Sequence, residues 1–214
     1  MTTSEDMNAA NPVAASAERR AALQGALRVE YISIAWKVIE AVVGIASAIA
    51  IDSLALLAFG IDSVIELASA CVLVWRLNIE YRRGQDFAEQ AERRASLIAG
   101  VLLLALAAYV VLGAGWKLWM REGAEFSWPG LIVAALALPV MYFLARRKLK
   151  MAETLKSRAL RADAVESIAC GWLSLVVVVA LLVQAVLQAW WVDAVASLGI
   201  VWFLVREGRE ALKG

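Results

Sequence analysis

The sequence predicts an all-α membrane protein with six transmembrane helices, and three observations carry that expectation. Apolar residues fill 62% of the 214 positions, well above the roughly 45–50% of soluble domains, and mean hydropathy is +0.71. Six stretches are long enough, or well enough anchored, to cross a bilayer, where a helix needs about 20 apolar residues. Lysine and arginine fall almost entirely on one side of those stretches.

In chain order the spans are Val29–Ile51, Ser53–Trp75, Leu97–Trp119, Pro129–Ala145, Ala162–Leu187 and Trp190–Val205. The fourth and sixth are short, but charge or aromatic anchors bound them. Ile51-Asp52-Ser53 leaves room only for a tight turn between spans one and two, and Gln188-Ala189 for another between spans five and six. Both pairs therefore read as helical hairpins. Eighteen of the 21 basic residues lie in the N-terminal tail, after span two, between Arg146 and Arg161, or after span six; Lys117 and Arg121 lie opposite, and Lys37 lies within span one. Positive charge stays cytoplasmic, so both termini are expected inside. Residues 1–28 are polar and alanine-rich, with no apolar signal-peptide segment. They read as a cytoplasmic tail turning helical near Ala21. The expected organisation is that tail, a transmembrane domain over 29–205, and a short cytoplasmic end at 206–214 with no soluble C-terminal domain.

Composition also narrows the chemistry. A net charge of +1 gives no reason to expect a nucleic-acid partner. Histidine is absent, so no imidazole is present to act as base, proton shuttle or metal ligand. Cys71 and Cys170 each sit in an apolar stretch without a C-x-x-C partner, so no disulfide is expected, and Cys71 reads as a packing residue.

Carboxylates are expensive in a membrane, at about 2.5–3.5 kcal/mol for Asp at a helix centre. The chain nevertheless places Glu40, Asp62, Glu66, Asp163, Glu166 and Asp193 within the spans. Asp62 and Glu66 are four apart and share a helix face; Asp163, Glu166 and Cys170 follow i, i+3, i+7 and share another. Adjacent carboxylates in a low dielectric repel unless a cation or proton lies between them.

The two spans also share an offset pattern. Ser53-Leu-Ala-Leu is followed by Asp62 nine positions and Glu66 thirteen positions after the serine; Ser157-Arg-Ala-Leu is followed at the same offsets by Glu166 and Cys170. These spans are the middle members of two three-helix halves that start on opposite sides. That is the pattern of a 3+3 inverted repeat with its site where the halves meet. Antiparallel register then faces Glu66 with Glu166 and Asp62 with Cys170. Three carboxylates and a thiolate call for a divalent cation together with protons. Mixed oxygen and sulfur ligands suit zinc and softer cadmium better than magnesium or calcium, with iron, cobalt, nickel and manganese left open. The competing reading is structural, with protonated acids hydrogen-bonded between helices.

Three further acids are entry or accessory candidates. Asp163 stands beside Arg158 and Arg161 and reads equally as a helix start or an ion guide. Glu40 follows Lys37 by one turn and reads as half of an internal ion pair. Asp193 follows Trp190 and Trp191 and reads as a helix-start residue at the outer interface.

These runs resemble the cation diffusion facilitators, a family that exports divalent metals in exchange for protons. The resemblance rests on Ser53-Leu-Ala-Leu-Leu-Ala-Phe-Gly-Ile-Asp-Ser-Val-Ile-Glu, on Ser157-Arg-Ala-Leu-Arg-Ala-Asp-Ala-Val-Glu-Ser-Ile-Ala-Cys and, more weakly, on Trp190-Trp191-Val-Asp, and extends from about residue 25 to the end. It implies a transport site at Asp62, Glu66, Glu166 and Cys170, where relatives commonly carry His or Asp, and it matches the family's Ala-Asp pair with Ala162-Asp163. It further implies a secondary transporter rather than an enzyme, with metal, protons and lipid as partners and no permanently bound cofactor. The expected location is a membrane such as the bacterial inner membrane. A homodimer through the transmembrane helices stays open. The alternatives are a proton-coupled exporter of small organic cations and a non-transporting membrane assembly protein.

Overall fold

The computed structural model describes residues 12–83 and 89–213, and among them every regular element is a helix: α1 Pro12–Ile51, α2 Leu54–Arg83, α3 Glu89–Met120, α4 Trp128–Leu155, α5 Arg158–Leu187 and α6 Val192–Lys213. The all-α expectation holds. Helices α1 to α5 are each long and apolar enough to cross a membrane. The sixth expected span is not: Asp193 and Arg206 leave only the twelve residues Ala194–Val205 uncharged between them, short of the roughly 20 a crossing needs. Helix α6 packs chiefly along α3. At Gly208 a side chain would meet Leu104 Cγ at 3.0 Å and the Gly100 carbonyl at 3.1 Å.

The helices run well past the expected spans. Residues 1–11 of the expected tail lie outside the described residues, but α1 is already helical from Pro12. Its Leu23 and Ala26 are buried with Leu73, Leu77, Ala152, Leu155 and Leu160, so this part of the expected tail belongs to the bundle. The basic run after span four is likewise no loop. Helix α4 continues to Leu155 and α5 begins at Arg158, which makes a third tight hairpin from residues that are strong helix formers.

Four helices end on a residue of positive φ: Asp52 (52°), Arg121 (58°), Lys156 (51°) and Gln188 (45°). This left-handed stop lets the last carbonyls of a helix find amide partners. Two of the stops are followed by serine and repeat each other. Ser53 N donates to the Ala48 carbonyl and Ser157 N to the Ala152 carbonyl, both at 3.0 Å. The serine hydroxyls then accept from Leu56 N at 3.1 Å and Leu160 N at 3.3 Å, capping α2 and α5. The two Ser-x-Ala-Leu runs thus fold alike.

Asp193 does lie in the first turn of α6, but the cap it supplies belongs to α2. Its carboxylate accepts from Ser53 Oγ at 2.5 Å, Leu54 N at 2.8 Å and Ala55 N at 3.3 Å. A buried anion here satisfies donors left over at the helix start and meets the positive end of the helix dipole. Nearby, Lys117 of α3 binds the Asp52 carboxylate at 2.7 Å, so a basic residue on the expected outer side also secures this turn.

Helices α1 and α2 touch backbone to backbone. A side chain at Gly60 would stand 2.7 Å from Ile45 Cγ1 and 2.8 Å from Ile45 N, and one at Gly44 would stand 3.2 Å from Gly60 Cα. This contact sets the turn of α1 carrying Lys37 and Glu40 against α2. Outward, large apolar side chains such as Ile32, Val42, Ile49, Leu112 and Val186 are exposed, as suits a lipid-facing surface. Cys71 is exposed there too rather than packed, because it lies on the outer face of α2. Gly60→Val should lower stability by about 1–3 kcal/mol through overpacking, whereas Gly115→Val, which has open space around it, should leave the melting temperature of the detergent-purified protein nearly unchanged. Equal losses from both substitutions would contradict the close crossing.

Candidate metal site

Helix α2 supplies Asp62 and Glu66, and α5, packed antiparallel to it, supplies Cys170. One ligand atom from each of these three lies within 4.8 Å of the other two. Asp62 and Cys170 are buried and Glu66 is half-buried. The expected approach of Asp62 to Cys170 is therefore present. Glu166 is not part of this trio. It lies one turn nearer the start of α5, half-buried, within electrostatic reach of Asp163, Glu66 and Glu207. Two carboxylates and a thiol from facing helices form a donor set able to take a divalent cation of borderline softness.

The trio also holds Lys37. Its Nζ lies 2.6 Å from Glu66 Oε2, 2.7 Å from Cys170 Sγ and 2.9 Å from Glu40 Oε2, and the side chain is buried. The ion pair expected between Lys37 and Glu40 is present, and Glu40 itself is fully buried against the site. Ser63 Oγ donates to it at 3.2 Å, Trp36 Nε1 donates to its other oxygen, and Cys170 Sγ is 3.9 Å away. The reach of Lys37 across to α2 and α5 is not legible in the sequence. The i, i+3 spacing identifies only the partner on its own helix, and the Gly44–Gly60 crossing that delivers it cannot be read from spacing. A signal existed in principle: a lysine inside a span is as expensive as an acid and requires partners.

A second buried lysine organises the end of the bundle where α1 enters, α4 leaves and α5 begins. Lys148 pairs with Asp163 and, at 3.2 Å, with Glu30 Oε2. Lys148 and Glu30 are buried and Asp163 is half-buried; the Glu30 oxygens make no hydrogen bond beyond this ion pair. Asp163 is thus held by Lys148 from α4, and it does not cap α5, because Ser157 does. Lys148, expected among the basic residues that follow span four, is inside the bundle because α4 remains helical there. Glu30, at the edge of the first apolar run, has no spacing pattern that marks it as a partner of Lys148. Asp193 is remote from the trio, about 12 Å along α2 from Asp62 at a rise of 1.5 Å per residue. Beyond the apolar part of α6, partial burial and the charge of Glu210 push the Glu207 carboxyl above the usual range, against the opposing pull of Arg206.

One protein family, the cation efflux transmembrane domain, matches residues 31–213. The chain belongs to this family. The match contains all three members of the trio and reaches from the middle of α1 to the end of α6, and it is the family that the residues of α2 and α5 resemble. Cation efflux proteins are transporters of divalent metal cations and not enzymes. With its apolar helices, the chain is accordingly an integral membrane protein of cation efflux. No curated protein matches it.

Removing one partner of a buried ion pair strands the other and costs about 3–5 kcal/mol. Lys148→Met should therefore lower thermal stability strongly. The triple change Lys148→Met, Glu30→Gln, Asp163→Asn, which strands no charge, should recover most of the loss in a thermal-unfolding series. A mild effect of the single change would show that the Lys148 cluster is not buried.

Proposed function

We propose that the protein exports a divalent transition metal, zinc or cadmium before iron, cobalt, nickel or manganese, through Asp62, Glu66 and Cys170 and in exchange for protons. The carrying observation is the meeting of these three ligand atoms within 4.8 Å on facing helices of a cation efflux domain. Glu166 serves as an approach ligand that passes metal to and from the trio, and Glu207 stands at the cytoplasmic mouth. With no imidazole present, the protons exchanged are carried by the carboxylates and thiol that also hold metal, so proton uptake and metal release occur on the same atoms. The basic flanks support an N-in, C-in orientation, which requires α6 to cross as well; its 22 residues give it the length to do so beside α3 despite its short apolar part. The matching serine-capped turns before α2 and α5 support descent from a 3+3 inverted repeat, with alternating access between the halves.

A second reading, export of small organic cations, rests on the Lys37 ammonium seated among Glu66, Cys170 and Glu40. A site that cradles one ammonium has the charge and size to take another. The thiol separates the two readings, because a metal gains from sulfur ligation and an ammonium does not require it.

The test is uptake of zinc and cadmium into proteoliposomes under an imposed pH gradient. Wild type should move both ions, Asp62→Asn should reduce the rate at least tenfold, and Cys170→Ser should shift the preference from cadmium toward zinc. A wild type that moves small amines but no metal would replace the metal reading with the second one. An unchanged zinc-to-cadmium ratio in Cys170→Ser would remove the thiol from the ligand set.

A further inference from the structure

We propose that the Lys37 ammonium is the resident cation of this site, which a transported metal must displace, and that Lys37 thereby sets both the affinity of the site and its preference for divalent ions. The inference rests on the assignment of Asp62, Glu66 and Cys170 as metal ligands.

Lys37 Nζ is 2.6 Å from Glu66 Oε2 and 2.7 Å from Cys170 Sγ. A zinc ion would bond the same two atoms at about 2.0–2.3 Å. The ammonium and the metal therefore claim the same position, and two cations this close repel strongly in a medium of low dielectric. Binding is an exchange, in which a divalent ion enters and a tethered monovalent one leaves.

The lysine has somewhere to go. Glu40 lies one turn away on the same helix, 2.9 Å from Nζ, and is not a member of the trio. Ser63 and Trp36 keep Glu40 in place from two helices. A small rotation of the lysine chain releases Glu66 and Cys170 while retaining Glu40, so the displaced ammonium is never left unpaired in the membrane interior, where an unpaired charge is prohibitive.

Two properties follow from the exchange. First, the ammonium offsets part of the negative charge of the site without metal, which eases reorientation of the carrier after release and prevents the trio from becoming a trap. Second, a monovalent ion such as sodium or potassium brings no more charge than the ammonium it would replace and bonds weakly to sulfur, so a tethered ammonium at high effective concentration excludes it. A divalent ion with affinity for thiolate is what can win.

The test uses cadmium alone as the probe, with the detergent-purified full chain and the ultraviolet cadmium–thiolate charge-transfer band as readout. Lys37→Met should bind cadmium at least tenfold more tightly than wild type, whereas Lys37→Arg, which keeps the charge, should stay within about threefold of it. Lys37→Met combined with Glu40→Gln strands no carboxylate outside the metal ligands themselves and covers the case in which the single variant fails to fold; it should show the same tightening. In proteoliposomes Lys37→Met should capture cadmium more tightly yet turn over at least fivefold more slowly. If the folded Lys37 variants bind cadmium no more tightly than wild type while Asp62→Asn still abolishes the band, Lys37 is structural only and the metal site stands without this inference. If no band sensitive to Asp62→Asn forms even in wild type, the metal assignment fails and the inference fails with it.

Discussion

Ionised side chains inside a bilayer have to meet opposite charge at close range, since neither lipid nor a packed helix bundle can hydrate them. Much of this architecture follows from that constraint. Two lysines buried among carboxylates within the bundle answer it. Lys37 gathers Glu40, Glu66 and Cys170 and so ties α1 to α2 and α5. Lys148 gathers Glu30 and Asp163 and ties α4 to α1 and α5. Helix α1 contributes to both clusters. It thus joins the two halves of the chain through charge, where apolar contact alone would leave helices free to slide in a solvent as oily as their own side chains.

Close backbone approach makes the first of these clusters possible. The Gly44–Gly60 contact brings α1 near enough for a lysine to cross into the space between α2 and α5. The left-handed stops at Asp52 and Lys156 then fold the chain back so sharply that α2 and α5 begin in fixed register with their predecessors. Register matters because the ligands recur at helical spacing: a slip of one residue would rotate Asp62 or Cys170 by about 100° away from its partner.

The sequence made the helical class legible because long apolar runs in α1 to α5 have no other stable form in a membrane. It made Asp62, Glu66 and Cys170 legible because buried acids and a thiol at helical spacing on two helices have few other uses. The boundaries were less legible. Apolar runs mark what lies in lipid, whereas α1 and α4 stay helical beyond it on alanine, leucine and basic residues that favour helix without being apolar. Basic residues were read for the side on which they lie, which hid the one that turns inward, Lys148. Asp193 was correctly tied to a helix start, but its partners on α2 are nearly 140 residues away in the chain, and no local pattern encodes such a contact. Glu166 shows the same limit from the other direction: equal offsets placed it level with Glu66, and packing left it outside the trio.

The Asp193 cap also has a mechanical meaning. Its carboxylate bonds three groups at the first turn of α2 while belonging to the first turn of α6, in a buried position. Helix α2 cannot tilt at this end without carrying α6 or breaking all three bonds where no water replaces them. The two helices therefore behave there as a single lever hinged at a shared anion. Because α6 lies along α3, any displacement of α2 at this end is shared with α6 and, through it, with α3.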